Sequence, residues 1–363
     1  MKILHIIDHI GVGGAQRVVE GIIEKCGEKN QIFCYALRKH ESRLVNHKNL
    51  FIRNTSFTFD LLSLFEIKRL IEREKIQILH CHLYKAYLIG YLLKKLFFRK
   101  IKINFHNHGR IFRNSKIYNF FLRYVKDNID LFLAVSKTTK QKLIENAGIP
   151  EEKIVVLYNF VDLEKFNPEI SKKHRRNKER KMMGIERDDF VVGFAGRLVN
   201  YKGWKEFISS ARILTEKGLK LKFLVAGNGS DKQKLINLID ELNLLNKVFY
   251  VGLVLDMGFF YSMLDCFVIP SHSEAMGITG LEAQACGIPV VASDIPGLNE
   301  TIRDHETGLT FRPKKAEDLA RKIELIYKDE KLRKTLIRNG LENAKKYCLN
   351  DYLVTLNKLY DNL

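Results

Sequence analysis

Proline is scarce in this 363-residue chain, six in all, and the 23 glycines dominate no stretch. That excludes a collagen-like or low-complexity polymer and leaves a globular protein. No run of about 18 uncharged apolar residues occurs, so no membrane-spanning helix is expected. The opening MKILHII has a single lysine and a short apolar run interrupted by His5, Asp8 and His9. This is the pattern of a first β-strand rather than of a secretory leader. No C-x-x-C pair exists, and Cys26, Cys34, Cys81, Cys266, Cys286 and Cys348 are scattered, several inside apolar runs. Reduced, buried thiols in the cytoplasm are expected, not a disulfide framework.

Acidic residues are also short: 42 Asp and Glu against 61 Lys and Arg, a net charge of +19. Residues 1–165 hold 29 basic against 16 acidic side chains, so thirteen of the nineteen excess charges lie in the first half. Such a field attracts anionic lipid, nucleic acid or phosphorylated substrates, or is simply the surface of a Lys-rich protein. The nucleic-acid reading has no recognition-helix, RNP or zinc-finger signature behind it.

What is present is a 46% hydrophobic chain, enough for two domains, in which strand and helix patterns alternate twice. Lys2–Asp8 reads as a strand, Gly11–Arg17 as a glycine loop and Val18–Cys26 as a helix. The loop, including Gly13 and Gly14, suits either a phosphate contact or a tight strand-to-helix turn; its spacing does not support a dinucleotide site. Strands are expected at Gln31–Leu37, Ile76–His82, Lys102–Phe105, Leu131–Val135 and Lys153–Tyr158. Helices are expected at Leu64–Glu74, Tyr84–Phe98, Ile111–Val125 and Lys137–Ala147, with Ser63 and Ser136 as N-caps. His80-Cys81-His82 is a possible metal pair, but no supporting donor lies near it in sequence. His108, beside Gly109 and past the end of a strand, lies where open α/β sheets bind ligands, whereas His106 reads as structural. Phe112, Tyr118, Phe120, Phe121 and Tyr124 interleave with Arg113, Lys116, Arg123 and Lys126, fitting either a membrane-facing surface or a core helix with a solvated face.

A basic run from Lys172 to Lys181 reads as a linker and exposed helix, with a membrane or nucleic-acid contact as the weaker alternative. The pattern then restarts. Strand Phe190–Ala195 leads into Gly196-Arg197 and Lys202-Gly203, strand Lys222–Ala226 into Gly227-Asn228-Gly229, and strand Val248–Gly252 closes on Gly252. Residues 316–363 read as helical throughout, with the final helix expected to pack back on the first domain.

The centre of the second half is Ser271–Pro296. Glu274 and Glu282 bracket a small-residue loop, Met276, Gly277, Ile278 and Thr279, that opens a helix. Amides at a helix start hold anions, while flanking carboxylates suit hydroxyl donors. One phosphate site between two hydroxyl-binding carboxylates is what a nucleotide-sugar requires.

Taken in order, Gly11–Ala15, His108-Gly109, Gly196-Arg197 with Lys202-Gly203, Gly227-Asn228-Gly229 and Glu274 to Glu282 resemble the retaining glycosyltransferases of family 4, across nearly the whole chain. The resemblance implies the GT-B fold, two Rossmann-like doubly wound parallel-sheet domains facing across a cleft: 1–165 on the acceptor side, 166–348 binding the donor, and about 349–363 returning to the first. It implies that Arg197 and Lys202 hold the donor diphosphate, with the amides of Met276–Thr279 and Gly14 completing the phosphate site. Glu282 takes the ribose hydroxyls, Glu274 and His108 contact the transferred sugar, and Asn228 and Gly252 lie near the base; Gly13 and Gly196 complete the donor set. The implied reaction moves a hexose or N-acetylhexosamine, with UDP as the default carrier, to a sugar hydroxyl of a lipid-linked or envelope polysaccharide, with retention, at the inner face of the cytoplasmic membrane. No metal and no cofactor are implied, and no D-x-D motif is present. Ala275 departs from the glycine usual after the first glutamate, and Asn107 from a frequent threonine. A GT-B nucleotide-sugar 2-epimerase is the alternative; the set of Arg197, Lys202, Glu274 and Glu282 argues against it.

Overall fold

The structure, a computed structural model, describes residues 1–25, 30–39, 47–53, 61–109, 116–169 and 180–363. Cys26, Arg110, Phe112, Arg113 and positions 172–179 of the basic run lie outside the described residues. The chain divides into two compact units, Met1–Phe160 with Leu349–Leu363, and Val161–Cys348.

The first unit runs β1 (Lys2–Ile7), α1 (Gly14–Lys25), β2 (Gln31–Ala36), β3 (Leu50–Ile52), α2 (Leu61–Glu74), β4 (Ile78–His82), α3 (Leu83–Leu96), β5 (Lys102–Asn107), α4 (Lys116–Val125), β6 (Leu131–Ala134), α5 (Lys137–Ala147) and β7 (Ile154–Val156). Its sheet is parallel, in the order β3-β2-β1-β4-β5-β6-β7. A parallel sheet is covered on both faces, so its strands read as nearly continuous apolar runs; β1 and β4 are buried along almost their whole length. Four histidines interrupt those runs, His5 in β1, His80 and His82 in β4 and His106 in β5.

The second unit repeats the plan: β8 (Phe190–Ala195), α6 (Trp204–Glu216), β9 (Leu221–Ala226), α7 (Lys232–Glu241), β10 (Val248–Gly252), α8 (Met257–Ser262), β11 (Cys266–Ile269), α9 (Ile278–Ala285), β12 (Val290–Ser293), α10 (Pro296–Asn299), β13 (Leu309–Phe311), α11 (Ala316–Lys328) and α12 (Glu330–Lys345). Its sheet order is β10-β9-β8-β11-β12-β13, again parallel. The last helix, α13 (Leu349–Asp361), belongs to the first unit, where Asn357 accepts from Asn30 Nδ2 at 2.9 Å.

Local differences from the sequence reading have simple causes. Helix α2 begins at Leu61, so Ser63 is buried inside the first turn and is not its cap. Ser136 does cap α5, its Oγ accepting from the Thr139 amide at 3.1 Å. Helix α1 starts at Gly14, four residues early, taking the last loop glycine into its first turn. The three-residue strands β3 and β13 were too short to show a period. The helical tail is three helices, broken at Asp329 and at 346–348. Cys34, Cys81, Cys266 and Cys286 are buried free thiols, and Cys348 is a half-buried one. Among the described residues no helix is long and apolar enough to cross a membrane.

Candidate active site

In the second unit the carboxyl ends of β8, β9 and β10 run into Gly196, Gly227 and Gly252. The Gly196 amide donates to Ala226 O at 3.0 Å, and the Gly227 amide to Gly252 O at 2.7 Å. Gly227 has φ +135°, and a Cβ there would lie 1.8 Å from Gly196 O, so only glycine lets these turns cross. Asn228 straps them: its carbonyl accepts from the Leu198 amide at 3.0 Å and its Oδ1 from the Gly229 amide at 2.8 Å. Gly196, Asn228 and Gly252 therefore form one turn cluster at the strand ends, where open α/β sheets take ligands. Arg197 projects from the same turn; it is half-buried, and among the described residues nothing pairs with its guanidinium.

Lys202 ends the tight turn Asn200–Lys202 before α6. Gly203 follows with φ +72°, its backbone so close to β11 that a Cβ would meet Pro270 O at 1.8 Å. This approach sets the Lys202 ammonium against the Glu274 carboxylate, which also accepts from Ser271 Oγ at 3.1 Å. Both charged groups are about one-fifth exposed, so the pair remains open to solvent and to a ligand. Beside it the His272 amide donates to Tyr201 O at 2.7 Å, and His272 Nε2 lies 3.0 Å from Glu206 Oε1.

Helix α9 opens at Gly277, whose left-handed φ of +78° turns the chain from the Glu274 loop. The Met276 side chain is buried and its carbonyl accepts from Thr301 Oγ1 at 2.9 Å, which fixes the turn. The first-turn amides of Ile278 and Thr279 have no intrahelical acceptor. One turn on, Glu282 is 2% exposed and its Oε2 accepts from the Tyr261 hydroxyl at 2.8 Å. The carboxylate expected to take ribose hydroxyls is thus already accepting one from the protein. Tyr261 was not singled out in the sequence; nothing local to it marks it.

Gly13, Gly14 and His108 lie in the first unit. Gly13 begins the turn into α1, its carbonyl accepting from the Arg17 amide at 3.0 Å. His108 is half-buried, and His82 Nδ1 lies 2.9 Å from its Nε2. Its ring stacks on His106 with centroids 4.3 Å apart. His5 and His80 are register partners on β1 and β4, and His82 and His106 on β4 and β5. The pair at 80 and 82 therefore does not stand alone: His5 and His106, remote in sequence, are fully buried beside it. One ring nitrogen from each of His5, His80 and His82, and from each of His82, His106 and His108, falls within 4.8 Å of the others. Burial lowers all five from the ordinary imidazole range, to about 3 for His5 and for His108, so they are neutral at pH 7.

Residues 12–165 match the family model described as Glycosyltransferase Family 4, and residues 175–343 that described as Glycosyl transferases group 1. The capsular polysaccharide biosynthesis glycosyltransferase CapM of Staphylococcus aureus is 32% identical over 81% of this chain and 78% of its own. This chain belongs to the family 4 glycosyltransferases. A further relative of this family 4 glycosyltransferase is the N,N'-diacetylbacillosaminyl-diphospho-undecaprenol alpha-1,3-N-acetylgalactosaminyltransferase of Campylobacter jejuni, 33% identical over 64% of this chain and 60% of that one. Anabaena HepE, solved with UDP and glucose, superposes with a TM-score of 0.85 at 20% identity over the whole of both chains. The fold of this family 4 glycosyltransferase is therefore GT-B, and the protein is a glycosyl-transferring enzyme.

Proposed function

We propose that the protein is a retaining transferase that moves a hexose or N-acetylhexosamine from a UDP-sugar to a sugar hydroxyl of a lipid-linked or envelope polysaccharide acceptor. The observation that carries this reading is the meeting of Lys202 and Glu274, 72 residues apart in sequence, next to the amides that open α9. A cation and free amides suit a diphosphate, and a carboxylate suits sugar hydroxyls. In the resting protein the two charges neutralise each other; a donor gives each its own partner.

In the reaction the acceptor oxygen bonds to the anomeric carbon as the bond from that carbon to the diphosphate oxygen breaks. The acceptor proton passes to an oxygen of the departing diphosphate, on the same face, so configuration is retained and no protein nucleophile is required. Arg197 and Lys202 stabilise the charge that grows on the leaving group, a contribution of the preorganised electrostatic kind. Glu274 and His108 orient the sugar, Glu282 with Tyr261 takes the ribose, and the turn of Asn228 and Gly252 lies by the base. Gly14 and the amides from Met276 to Thr279 complete the phosphate contacts, and no metal takes part.

Helix α4 supports work at a lipid surface. Tyr118, Leu122 and Val125 face the core, while Ile117, Phe120 and Tyr124 are 74%, 70% and 59% exposed. Lys95 of α3 lies 5.6 Å over the rings of Tyr91 and Tyr124, beside exposed Leu96. Apolar side chains flanked by cations on a chain of charge +19 suit the anionic inner leaflet, and the C. jejuni relative is named for an undecaprenol-linked acceptor. The apolar side chains of this helix therefore divide between two faces, one in the core and one exposed.

The deciding experiment incubates the protein with UDP-, GDP- and ADP-sugars, following nucleotide release and the anomeric configuration of the product by NMR. UDP release with retained configuration is expected; inversion, or an epimer formed without acceptor, overturns the reading. Flotation with anionic vesicles tests α4. Phe120→Ser is expected to cut vesicle binding several-fold at unchanged stability, because exposed substitutions cost within about 0.5 kcal/mol; undiminished binding removes the surface.

A further inference from the structure

The five histidines of the first unit are joined by hydrogen bonds that meet at one phenol. Tyr360 of α13 lies 3.1 Å from His5 Nε2 and 2.6 Å from His80 Nδ1. From His5 the line continues through Nδ1 to His82 Nε2 at 2.9 Å, and through His82 Nδ1 to His108 Nε2 at 2.9 Å. From His80 it continues through Nε2 to His106 Nδ1 at 3.2 Å. The lines end at His108 Nδ1 and His106 Nε2, which are buried and without a hydrogen-bond partner among the described residues.

Where the Tyr360 phenol donates to one of its two ring partners, protons can be distributed over the network in only two ways. A neutral imidazole has one N–H and one lone pair, and a phenol has one O–H. If Tyr360 donates to His80, then His80 and His106 carry their protons on Nε2. The phenol oxygen accepts from His5 Nε2–H, His5 Nδ1 from His82 Nε2–H, and His82 Nδ1 from His108 Nε2–H. All five are then Nε2–H tautomers. If Tyr360 donates to His5 instead, all five become Nδ1–H. One mixed pattern needs the phenol to accept from both rings and donate elsewhere, and it still leaves His5, His82 and His108 as Nε2–H; any other would force two protons or two lone pairs together on some bond. The distances choose between the two states. The 2.6 Å contact is that of an O–H donor and the 3.1 Å contact that of an N–H donor, so the phenol donates to His80 and accepts from His5.

We infer that Tyr360 is a positioning residue for His108: through His5 and His82 it holds the His108 proton on Nε2, leaving Nδ1 as an acceptor for a hydroxyl of the donor sugar. This rests on the reading of His108 as a sugar contact. A metal fits the cluster less well. His5, His80 and His82 stack with interplanar angles of 4 to 20°, and His106 and His108 at 24°. Eight of the ten ring nitrogens are already engaged with one another or with the Tyr360 hydroxyl, which leaves few lone pairs for an ion.

The test is two-bond 1H–15N correlation NMR of the full chain, which reports the tautomer of each histidine. The wild type is expected to show all five as Nε2–H. In Tyr360→Phe, His5, His82 and His108 are expected to shift together toward a tautomer average. In the same variant kcat for UDP release falls about tenfold or more while the KM for donor changes less than about twofold. A mixed tautomer pattern in the wild type overturns the proposal, and that measurement needs no variant to fold. So does an unchanged His108 tautomer in Tyr360→Phe, or stoichiometric binding of Zn2+ that replaces the network. A tautomer change with unaltered kcat overturns the positioning role. Failure of the functional reading is told apart from all of these, because wild-type protein would then release no nucleotide from any donor sugar.

Discussion

The two units carry their polar chemistry in opposite ways. In the second, charges sit in loops at strand ends: Arg197, Lys202 and Glu274 are half-buried and within reach of a ligand. In the first, the imidazoles of His5, His80, His82 and His106 sit neutral and fully buried inside strands, bonded to one another, to Tyr360 and to half-buried His108. A loop charge is available to bind and release, whereas a buried network holds a fixed arrangement that is costly to disturb.

The comparison can be broken most forcefully with acid. The native pKa values of the five histidines lie below the unfolded value of about 6.5. Above that pH both states are neutral and stability is full. As pH falls from 6.5 toward about 3, the unfolded chain takes up protons that the native first unit refuses, and stability is lost. His5 alone contributes about 2 kcal/mol of this loss at pH 5. Hydrogen exchange at pH 7.5 and pH 5 is expected to show the first unit opening while the second stays protected; equal loss in both units would mean that the histidines do not set it.

Next in size is Lys202→Ala. Turnover is expected to fall about 100-fold or more, as for loss of a donor aimed at developing charge. The donor KM should change much less, and the acid profile of the first unit should not change at all. Turnover within twofold of wild type would remove Lys202 from the site.

Smaller again is Glu282→Ala. UDP affinity, by calorimetry, is expected to drop about tenfold, and the Tyr261 hydroxyl loses a buried acceptor at a cost of about 1–3 kcal/mol in stability. A lowered Tm with unchanged UDP affinity would make Glu282 a structural acceptor and leave ribose to another group.

The second unit's candidate site could be proposed from sequence because its parts are local in the chain. Gly196-Arg197, Lys202-Gly203 and Glu274 through Glu282 each lie within one loop or one helix turn, and alternating strands and helices place such loops at one edge of a sheet. The two α/β domains could be read for the same reason, from the repeated period of strands and helices; that they form the GT-B architecture came from the resemblance carried by the motifs. Tyr261 could not, since its partner Glu282 lies 21 residues on and the contact needs the packing of α8 against α9. The histidine network was hidden more deeply. Two histidines two apart on a strand share a face, which marks β4 and the end of β5, but that His5 stands beside His80 depends on a register between strands 75 residues apart. That Tyr360 closes the network depends on α13 returning to the first unit, 355 residues after His5. For α4 two readings were open from sequence, and only packing showed which side chains are buried and which exposed.

The return of the last helix also governs the order in which the protein can be made. During synthesis residues 161–348 emerge before Leu349–Leu363, so the second unit has all of its chain while the first still lacks a helix. Until the ribosome reaches Tyr360, His5 Nε2 and His80 Nδ1 are without the phenol that joins them. Leu349–Leu363 therefore complete a unit begun more than three hundred residues earlier, and a nascent chain halted before Leu349 would hold a finished second unit with an unfinished first one, a ready substrate for chaperones and proteases.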